Sequence, residues 1–425
     1  MMNEIVVIND LTVIFLIFLI LGVGLQIWLA MRHKAHVRAH QNAVPSAFSE
    51  KISLEDHQKA ADYTLTKTRF GQKMMIIEVF ILLLWIFAGL LELLDQGWRG
   101  IGWSALWTGV AVLISFGFLS ALIDLPASVY STFRIEAQFG FNRTTPRLFI
   151  IDMLKSMLLT LIIGIPFTAL VLWLMEHAGE FWWLSVWGVW MGFSVLMMWA
   201  YPTFIAPLFN KFKPLENEGL KQRIEALLQR NGFASSGIFV MDGSKRSGHG
   251  NAYFTGLGKN KRIVFYDTLL DDLNNDEVEA VLAHEIGHFK HKHILKRMVW
   301  VSIVSLGGLA LLGFLMQQNW FYNGLGVSTP STYMALLLFM LVLPAFTFFL
   351  SPIFAWFSRK QEFEADDFAA VQANPLALIQ ALVKMYKENA STLTPDPLYS
   401  AFYDSHPPAP VRITHLYSKL NASTS

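Results

Sequence analysis

Cysteine is absent from this sequence of 425 residues. Its absence excludes a disulfide bond, a thiolate metal site and a cysteine nucleophile. Any metal ion must therefore be bound by histidine, aspartate or glutamate side chains. The 12 histidines and 32 acidic residues make such ligands available.

Charged residues are also scarce, at 15% of the chain, whereas ordinary soluble domains contain about 25%. Hydrophobic residues make up 54% and the mean hydropathy is +0.41. This composition is typical of an integral membrane protein, whose principal surroundings are the lipid bilayer. The net charge of +1 argues against nucleic acid as a partner, and no segment indicates an obligate protein partner.

Seven apolar runs are each near the length of about 20 residues that a membrane-spanning helix needs. They cover residues 11–31, 74–95, 103–125, 149–176, 182–204, 298–317 and 332–356. The residues before the first run lack the basic segment of a signal peptide, and the run itself is long. We therefore interpret it as a retained anchor.

Lysine and arginine concentrate in alternate connections, at 32–73, 126–147 and 211–297. The positive-inside rule then places the N-terminus outside and the long connections and C-terminus in the cytoplasm. Residues 421–425 contain no retention signal. We expect a multi-pass protein of the bacterial inner membrane, with the endoplasmic-reticulum membrane as the alternative.

The largest connection, 205–297, is long enough for a compact subdomain. Its sequence predicts an amphipathic helix over 220–231 and strands over 237–241, 251–255 and 262–266, with a hairpin turn at 256–261. Asn274 and Glu277 have the spacing of a capping box, which predicts a helix start. In many zinc peptidases a small sheet beside the metal-binding helix holds an extended peptide at its edge.

The predicted helix contains the H-E-x-x-H motif His284-Glu285-Ile286-Gly287-His288. Histidines four residues apart lie on one face of a helix, so both rings can bind one metal ion. Glu285 is then placed to hold the attacking water. Gly287 is a poor helix former, which indicates close packing at that position. The alternative is a surface helix with two solvent-facing histidines.

A third metal ligand must come from elsewhere, because catalytic zinc usually has three protein ligands and one open position. After the last span, Glu362 and Asp366 share a helix face, whereas Glu364 points to another side. One acid could bind zinc and the other could bind a ligand histidine, although an ordinary acidic helix start is an alternative. His291 and His293 lie too far along the axis to be ligands, and we interpret them as interface residues or partners of the ligands.

Several blocks of the sequence resemble the integral-membrane zinc metalloproteases of the CaaX prenyl protease 1 (a-factor-converting) type. The shared blocks include Tyr130-Ser131-Thr132-Phe133, Gly140-Phe141-Asn142-Arg143, Tyr201-Pro202-Thr203-Phe204, Asn251-Ala252-Tyr253-Phe254, the metal motif, Glu362-Phe363-Glu364-Ala365-Asp366 and Ser405-His406-Pro407-Pro408. Seven spans also match this family.

The resemblance implies that Glu362 is the third zinc ligand and that Asp366 hydrogen-bonds a ligand histidine. It places His406 and Arg412 in the active site, with His406 stabilising the tetrahedral intermediate and Arg412 among the substrate-binding residues. The implied reaction is peptide hydrolysis with one zinc ion per chain, in which Glu285 takes the proton of the attacking water and passes it to the leaving amine.

The resemblance further implies that Asn251, Ala252 and Tyr253 form an edge strand that holds a peptide or lipidated-protein substrate. The expected fold is mainly α, with seven transmembrane helices around a chamber and a small α+β zinc-peptidase subdomain at the cytoplasmic face. We divide the chain into spans 1–5 (1–204), the zinc-peptidase subdomain (205–297), spans 6–7 (298–357) and a cytoplasmic segment that completes the zinc site (358–425).

Two other functions are compatible with parts of the sequence. A general protease that removes damaged membrane proteins would use the same metal motif. A transporter would use charged residues within its spans, and five lie within or near the predicted spans: Glu78, Glu92, Asp124, Asp152 and Lys155.

Overall fold

The computed structural model describes residues 7–233, 237–255 and 262–423, so the predicted turn at 256–261 lies outside the described residues. The first half of the chain is helical. Its helices are α1 (Asp10–His40), α2 (Leu54–Phe87), α3 (Leu90–Arg99), α4 (Ala105–Tyr130), α5 (Pro146–His177), α6 (Trp182–Ala200) and α7 (Ala206–Phe209). The π-helical segments Ser131–Glu136 and Tyr201–Ile205 continue α4 and α6.

The second part contains a small sheet and the helices that cover it. Its elements are β1 (Phe212–Pro214), α8 (Glu218–Arg230), β2 (Ile238–Met241), β3 (Ala252–Thr255), β4 (Arg262–Tyr266), α9 (Asp267–Asp272) and α10 (Asn275–Lys290). The three predicted strands are confirmed. The sequence did not predict β1, which has only three residues and ends in a proline.

The sheet has the strand order β1-β2-β4-β3. β2 and β4 are parallel, whereas β1 pairs with β2 and β3 pairs with β4 in antiparallel fashion. Within the described residues β3 therefore forms one edge of the sheet.

The remaining helices are α11 (His293–Leu315), α12 (Asn319–Asn323), α13 (Thr332–Thr347), α14 (Ser351–Gln372), α15 (Pro375–Glu388), α16 (Pro397–Tyr403) and α17 (Ala409–Ser423). A short 3₁₀ segment, Phe348–Leu350, joins α13 directly to α14. The last span and the acidic motif thus belong to one helical run, Thr332–Gln372.

Seven helical runs in the described part of the chain are long and apolar enough to cross a membrane, which confirms the predicted number of spans. The prediction for the second span, 74–95, is wrong at its C-terminal end because α2 stops at Phe87. Gly89 then adopts a φ of 75° and starts the separate helix α3. A backbone in this left-handed region interrupts a helix and favours glycine.

Charged residues near the spans have two kinds of environment. Glu92 accepts hydrogen bonds from Ser328, Asp152 pairs with Arg246, and Lys155 donates to the Leu208 carbonyl. These charges therefore stabilise connections between elements, which removes the main support for a transporter.

Glu78 and Asp124 are instead exposed, and neither has a polar partner among the described residues. A carboxylate facing lipid is costly. Two positions avoid this cost, namely the inside of the helix bundle and the membrane interface.

Helix α10 lies at the centre of the extramembrane core, between the sheet and helices α8, α14 and α15. The core is formed by fully buried apolar side chains from each of these elements, among them Leu227, Phe265, Ala283, Ala369 and Leu382. Burial of each large apolar side chain contributes about 1.5–3 kcal/mol. This packing fixes the position of α10 against α14.

Candidate metal centre and active site

The helix that contains the metal motif has a well-formed start. The Asn274 side chain accepts from the backbone N–H of Glu277, and the Glu277 carboxylate accepts from that of Asn274. The predicted capping box is thereby confirmed. Lys384 of α15 also pairs with Glu277 at 2.7 Å, so an ion pair with a neighbouring helix further stabilises the start of α10.

Gly287 allows α10 to approach α14 closely. A Cβ atom at this position would lie 2.9 Å from the Cα and 3.1 Å from the carbonyl oxygen of Ala365. Both neighbouring atoms belong to the backbone, which cannot easily shift. The glycine therefore permits the contact that brings the acidic motif of α14 beside His284 and His288.

His284, His288 and Glu362 converge at one point between the two helices. The Nε2 atoms of His284 and His288 are 3.2 Å apart. Glu362 Oε2 lies 3.4 Å from the first of these atoms, and Glu362 Oε1 lies 3.3 Å from the second. Donors placed about 2.1 Å from zinc at tetrahedral corners are about 3.4 Å apart. The spacing of the three groups therefore fits a zinc ion.

Two further observations agree with a cation at this position. Glu362 Oε2 is buried and has no hydrogen-bond partner among the described residues, although buried polar atoms usually have one. Burial and Arg412 lower the pKa of His284, but its close contacts with the carboxylates of Asp366 and Glu362 outweigh them and raise it to about 9. The surroundings of this imidazole thus favour positive charge.

Asp366 and Arg412 form a buried ion pair on the Nδ1 side of His284, whereas its Nε2 atom faces the other metal ligands. Asp366 Oδ1 lies 2.9 Å from His284 Nδ1, and Asp366 is fully buried. Arg412 donates to Asp366 through Nε at 2.8 Å and also through Nη2. Because both carboxylate oxygens are engaged, the Asp366 side chain is fixed and can orient the imidazole.

The structure gives Arg412 a different environment from the one expected of a substrate-binding residue. Its side chain is buried, with a relative exposure of 6%. Two of its nitrogens bind Asp366, and Nη1 lies 3.9 Å from Glu362 Oε2. A guanidinium engaged in this way is a structural partner of the acidic pair, so its proposed contact with substrate has no geometric support.

His293 contacts the Nδ1 side of His288, as Asp366 contacts that of His284. The spacing of the sequence had left the role of His293 open. Its Nδ1 lies 2.9 Å from His288 Nδ1, and its Nε2 lies 2.9 Å from Glu364 Oε2. The turn between α10 and α11 makes this possible, because Lys292 adopts a left-handed φ of 57°. Sequence spacing alone could not reveal this left-handed residue at the start of α11.

Glu285 is half-buried and makes no hydrogen bond or ion pair with any described residue. A carboxylate without a protein partner beside the metal ligands is available to water. His406 lies on the other side, with Nε2 3.4 Å from Glu362 Oε1 and a relative exposure of 62%. The two groups thus border the side of the cluster that is open to solvent.

A cavity of about 880 Å³ adjoins this open side. Its lining residues include His406, Asn251, Tyr63, Lys67 and His249. Ala252 belongs to edge strand β3, directly after Asn251. The predicted edge strand is therefore next to a space that is large enough for a short peptide.

The Tyr253 side chain lies on the opposite face of the sheet, where it lines a second cavity of about 410 Å³. Burial raises the pKa of its phenol to about 12, so the side chain remains neutral. The Tyr253 backbone faces β4, so a peptide at the edge would contact this residue only through the side chain in the second cavity.

A histidine–glutamate metal cluster, a free glutamate and seven spans together define the class of the protein as a membrane-embedded zinc metalloprotease. Two family models cover nearly the whole chain. Residues 33–211 match the CAAX prenyl protease N-terminal domain of five membrane helices, and residues 214–419 match peptidase family M48.

Individual proteins agree with this class. The CAAX prenyl protease 1 homolog of Oryza sativa subsp. japonica is 36% identical, over 88% of this chain and 90% of the relative. The CAAX prenyl protease 1 of Saccharomyces cerevisiae is 33% identical, over 91% of each chain. The crystal structure of S. mikatae Ste24p superposes with a TM-score of 0.89 at 32% identity, covering 96% of this chain and 99% of that one.

The chain belongs to the CAAX prenyl protease 1 family of peptidase family M48. It is an integral multi-pass membrane protein, as predicted. These relatives come from a plant and from yeast, so the comparisons give no support to the expectation of a bacterial inner membrane.

Proposed function

We propose that this protease hydrolyses membrane-associated or lipidated peptides and removes the C-terminal tripeptide of prenylated CaaX proteins. The arrangement of His284, His288 and Glu362 beside a cavity of about 880 Å³ carries the proposal. The names of the relatives support the substrate class. The spans would bring the site close to substrates that are anchored in the bilayer by a lipid.

His284, His288 and Glu362 would hold one zinc ion, with Asp366 fixing the first imidazole and His293 the second. Zinc in such a site supplies a Lewis acid that polarises the scissile carbonyl and acidifies water. Glu285 would take the proton of the attacking water and pass it to the leaving amine. His406 Nε2 would donate to the developing oxyanion.

A substrate peptide would add to the sheet along the edge segment Asn251, Ala252 and Tyr253, in which the Ala252 backbone faces the free edge. This mode of binding needs few side-chain contacts, because main-chain hydrogen bonds supply much of the affinity. The adjoining cavity would then receive the residues on one side of the scissile bond.

Cleavage of prenylated CaaX peptides by the purified protein tests this function. We expect zinc-dependent release of the tripeptide, and we expect Glu285→Gln to retain zinc while its kcat falls by about 10²–10⁴-fold. The same change at the exposed Glu225 of α8 is the control and leaves kcat unaltered. Equal rates on unprenylated peptides would favour the general protease, and full activity of Glu285→Gln would refute the mechanism.

We further propose that the metal site faces the cytoplasm, as the charge bias indicates, and the eukaryotic relatives favour the endoplasmic-reticulum membrane as its location. The absence of cysteine makes the orientation simple to test, since one introduced cysteine gives one labelling site. Glu216→Cys, before α8, should react only with a reagent on the cytoplasmic side. Glu180→Cys, between α5 and α6, should react only from the other side, and the reverse pattern would contradict the orientation.

A further inference from the structure

We propose that Arg359 of α14 is a positioning residue that holds His406 beside the zinc ligands. The inference rests on the proposed function, because it concerns the histidine that would donate to the oxyanion. Arg359 lies three residues before the metal ligand Glu362. Its hydrogen bonds go to the backbone of α16 and of the residue that follows it.

The Arg359 guanidinium binds the end of α16. Its Nη1 atom lies 3.2 Å from the carbonyl oxygens of Ser400 and Ala401 and 2.9 Å from that of Asp404, the residue at which the helix ends. The last carbonyls of a helix have no partner within the helix, and an arginine side chain can supply one. Arg359 therefore fixes the point at which the chain leaves α16.

His406 follows this point by two residues, in a segment with few restraints of its own. In the described part of the chain, the backbones of Ser405, His406 and Pro407 make no hydrogen bond. The His406 side chain is 62% exposed, with Nδ1 3.0 Å from Ser405 Oγ and Nε2 3.4 Å from Glu362 Oε1. The position of this imidazole therefore depends on how the two ends of the segment are held.

The other end of the segment is bound to the same helix. Arg412, in the first turn of α17, donates to Asp366 of α14 at 2.8 Å. Arg359, Glu362 and Asp366 are spaced by three and four residues, so they share one face of α14. The metal ligand thus lies between the two groups that hold the segment, and one helix sets the position of His406 relative to Glu362.

A residue with this role should affect the rate of reaction more than the binding of substrate. An oxyanion donor acts in the transition state and contributes about 10²–10³-fold to kcat. A displacement of about 1 Å can remove much of such an effect. Arg359 does not contact the metal ligands through a hydrogen bond, so its loss should lower kcat while KM and zinc binding stay nearly constant.

A double-mutant cycle between Arg359 and His406 tests the inference, with a prenylated CaaX peptide as substrate. Methionine at position 359 keeps an apolar side chain of similar length but has no donor. We expect Arg359→Met to lower kcat by about tenfold or more, with KM and zinc content unchanged. In a His406→Ala background the same change should lower kcat by no more than about twofold, because the group that Arg359 positions is then absent.

Two further variants support the comparison. Arg359→Gln has a shorter side chain that cannot reach all three carbonyls, and it should give the same pattern in both backgrounds, so the cycle does not depend on the folding of one variant. Lys360→Met is the matched control at the next position. Lys360 is exposed and has no polar partner in the part of the chain that the structure describes, so its change should leave kcat unaltered.

An equal loss of kcat in the wild-type and His406→Ala backgrounds would indicate a general structural role of Arg359 and overturn the inference. Wild-type kcat in both Arg359 variants would overturn it as well. Failure of the proposed role of His406 has a different signature, because His406→Ala alone would then leave kcat unchanged.

Discussion

The buried pair of Asp366 and Arg412 offers a quantitative test of how the metal site is supported. Asparagine at position 366 keeps the shape of aspartate but loses its charge and one acceptor. The aspartate accepts hydrogen bonds from both His284 Nδ1 and the Arg412 guanidinium. The single amide oxygen of the asparagine could accept from only one of these two groups. Arg412 would retain only Glu362 Oε2, at 3.9 Å, as a counter-charge.

Breaking a buried ion pair from one side costs about 3–5 kcal/mol of stability. Loss of the carboxylate that orients a ligand histidine lowers metal affinity or activity by about 10–100-fold. We therefore expect Asp366→Asn to unfold at a lower temperature and to lose zinc to a weaker chelator than the wild type does. Zinc competition, turnover at saturating zinc and thermal unfolding in detergent measure the three effects.

The adjacent Asp367 provides a matched control. It pairs with His415 and Lys419 at the surface and is 42% exposed. Exposed pairs of this kind contribute about 0–1 kcal/mol, so Asp367→Asn should change neither zinc affinity nor turnover. Equal zinc affinity of Asp366→Asn and Asp367→Asn would refute the view that Asp366 positions His284.

Three other changes have defined outcomes. Gly287→Ala places a Cβ against the backbone of Ala365, which should cost about 1–3 kcal/mol and lower the zinc content of the purified protein; an unchanged zinc content would show that the helices can separate without loss. Lys292→Gly relieves a left-handed residue that is exposed, and should raise the free energy of unfolding by about 1 kcal/mol. Asp396 is buried, but hydrogen bonds from the Tyr399 N–H and Arg32 outweigh the effect of burial and lower its pKa. Its contribution to stability is therefore present at neutral pH and lost as the pH falls through the lowered pKa, so the difference in unfolding temperature between wild type and Asp396→Asn should shrink in acid; a constant difference would contradict this.

Local patterns in the sequence predicted the features that depend on neighbours along the chain. The capping box of Asn274 and Glu277, the spacing of His284 and His288 and the apolar length of the spans are all of this kind. A helix face or a cap is determined within a few residues, so its pattern survives in the sequence.

Features that depend on tertiary contact could not be obtained in this way. Spacing left Glu362 and Asp366 as equal candidates for the third ligand, and only the approach of α14 to α10 at Gly287 separates them. The contact of His288 with His293 depends on the left-handed conformation of Lys292. The hydrogen bonds between the Asn389 side chain and the Gly250 backbone join residues that are 139 positions apart.

The continuity of the last span with the acidic motif makes α14 a lever arm. Glu362 lies 12 residues beyond the 3₁₀ segment that ends at Leu350, a distance of roughly 18 Å at the rise of an α-helix. A tilt of about 3° at that segment would move the Glu362 carboxylate by about 1 Å, which exceeds the tolerance of about 0.2 Å expected for a metal–ligand distance. Membrane helices can respond to a change in bilayer thickness by tilting, and such a response would thereby be coupled mechanically to the geometry of the zinc site.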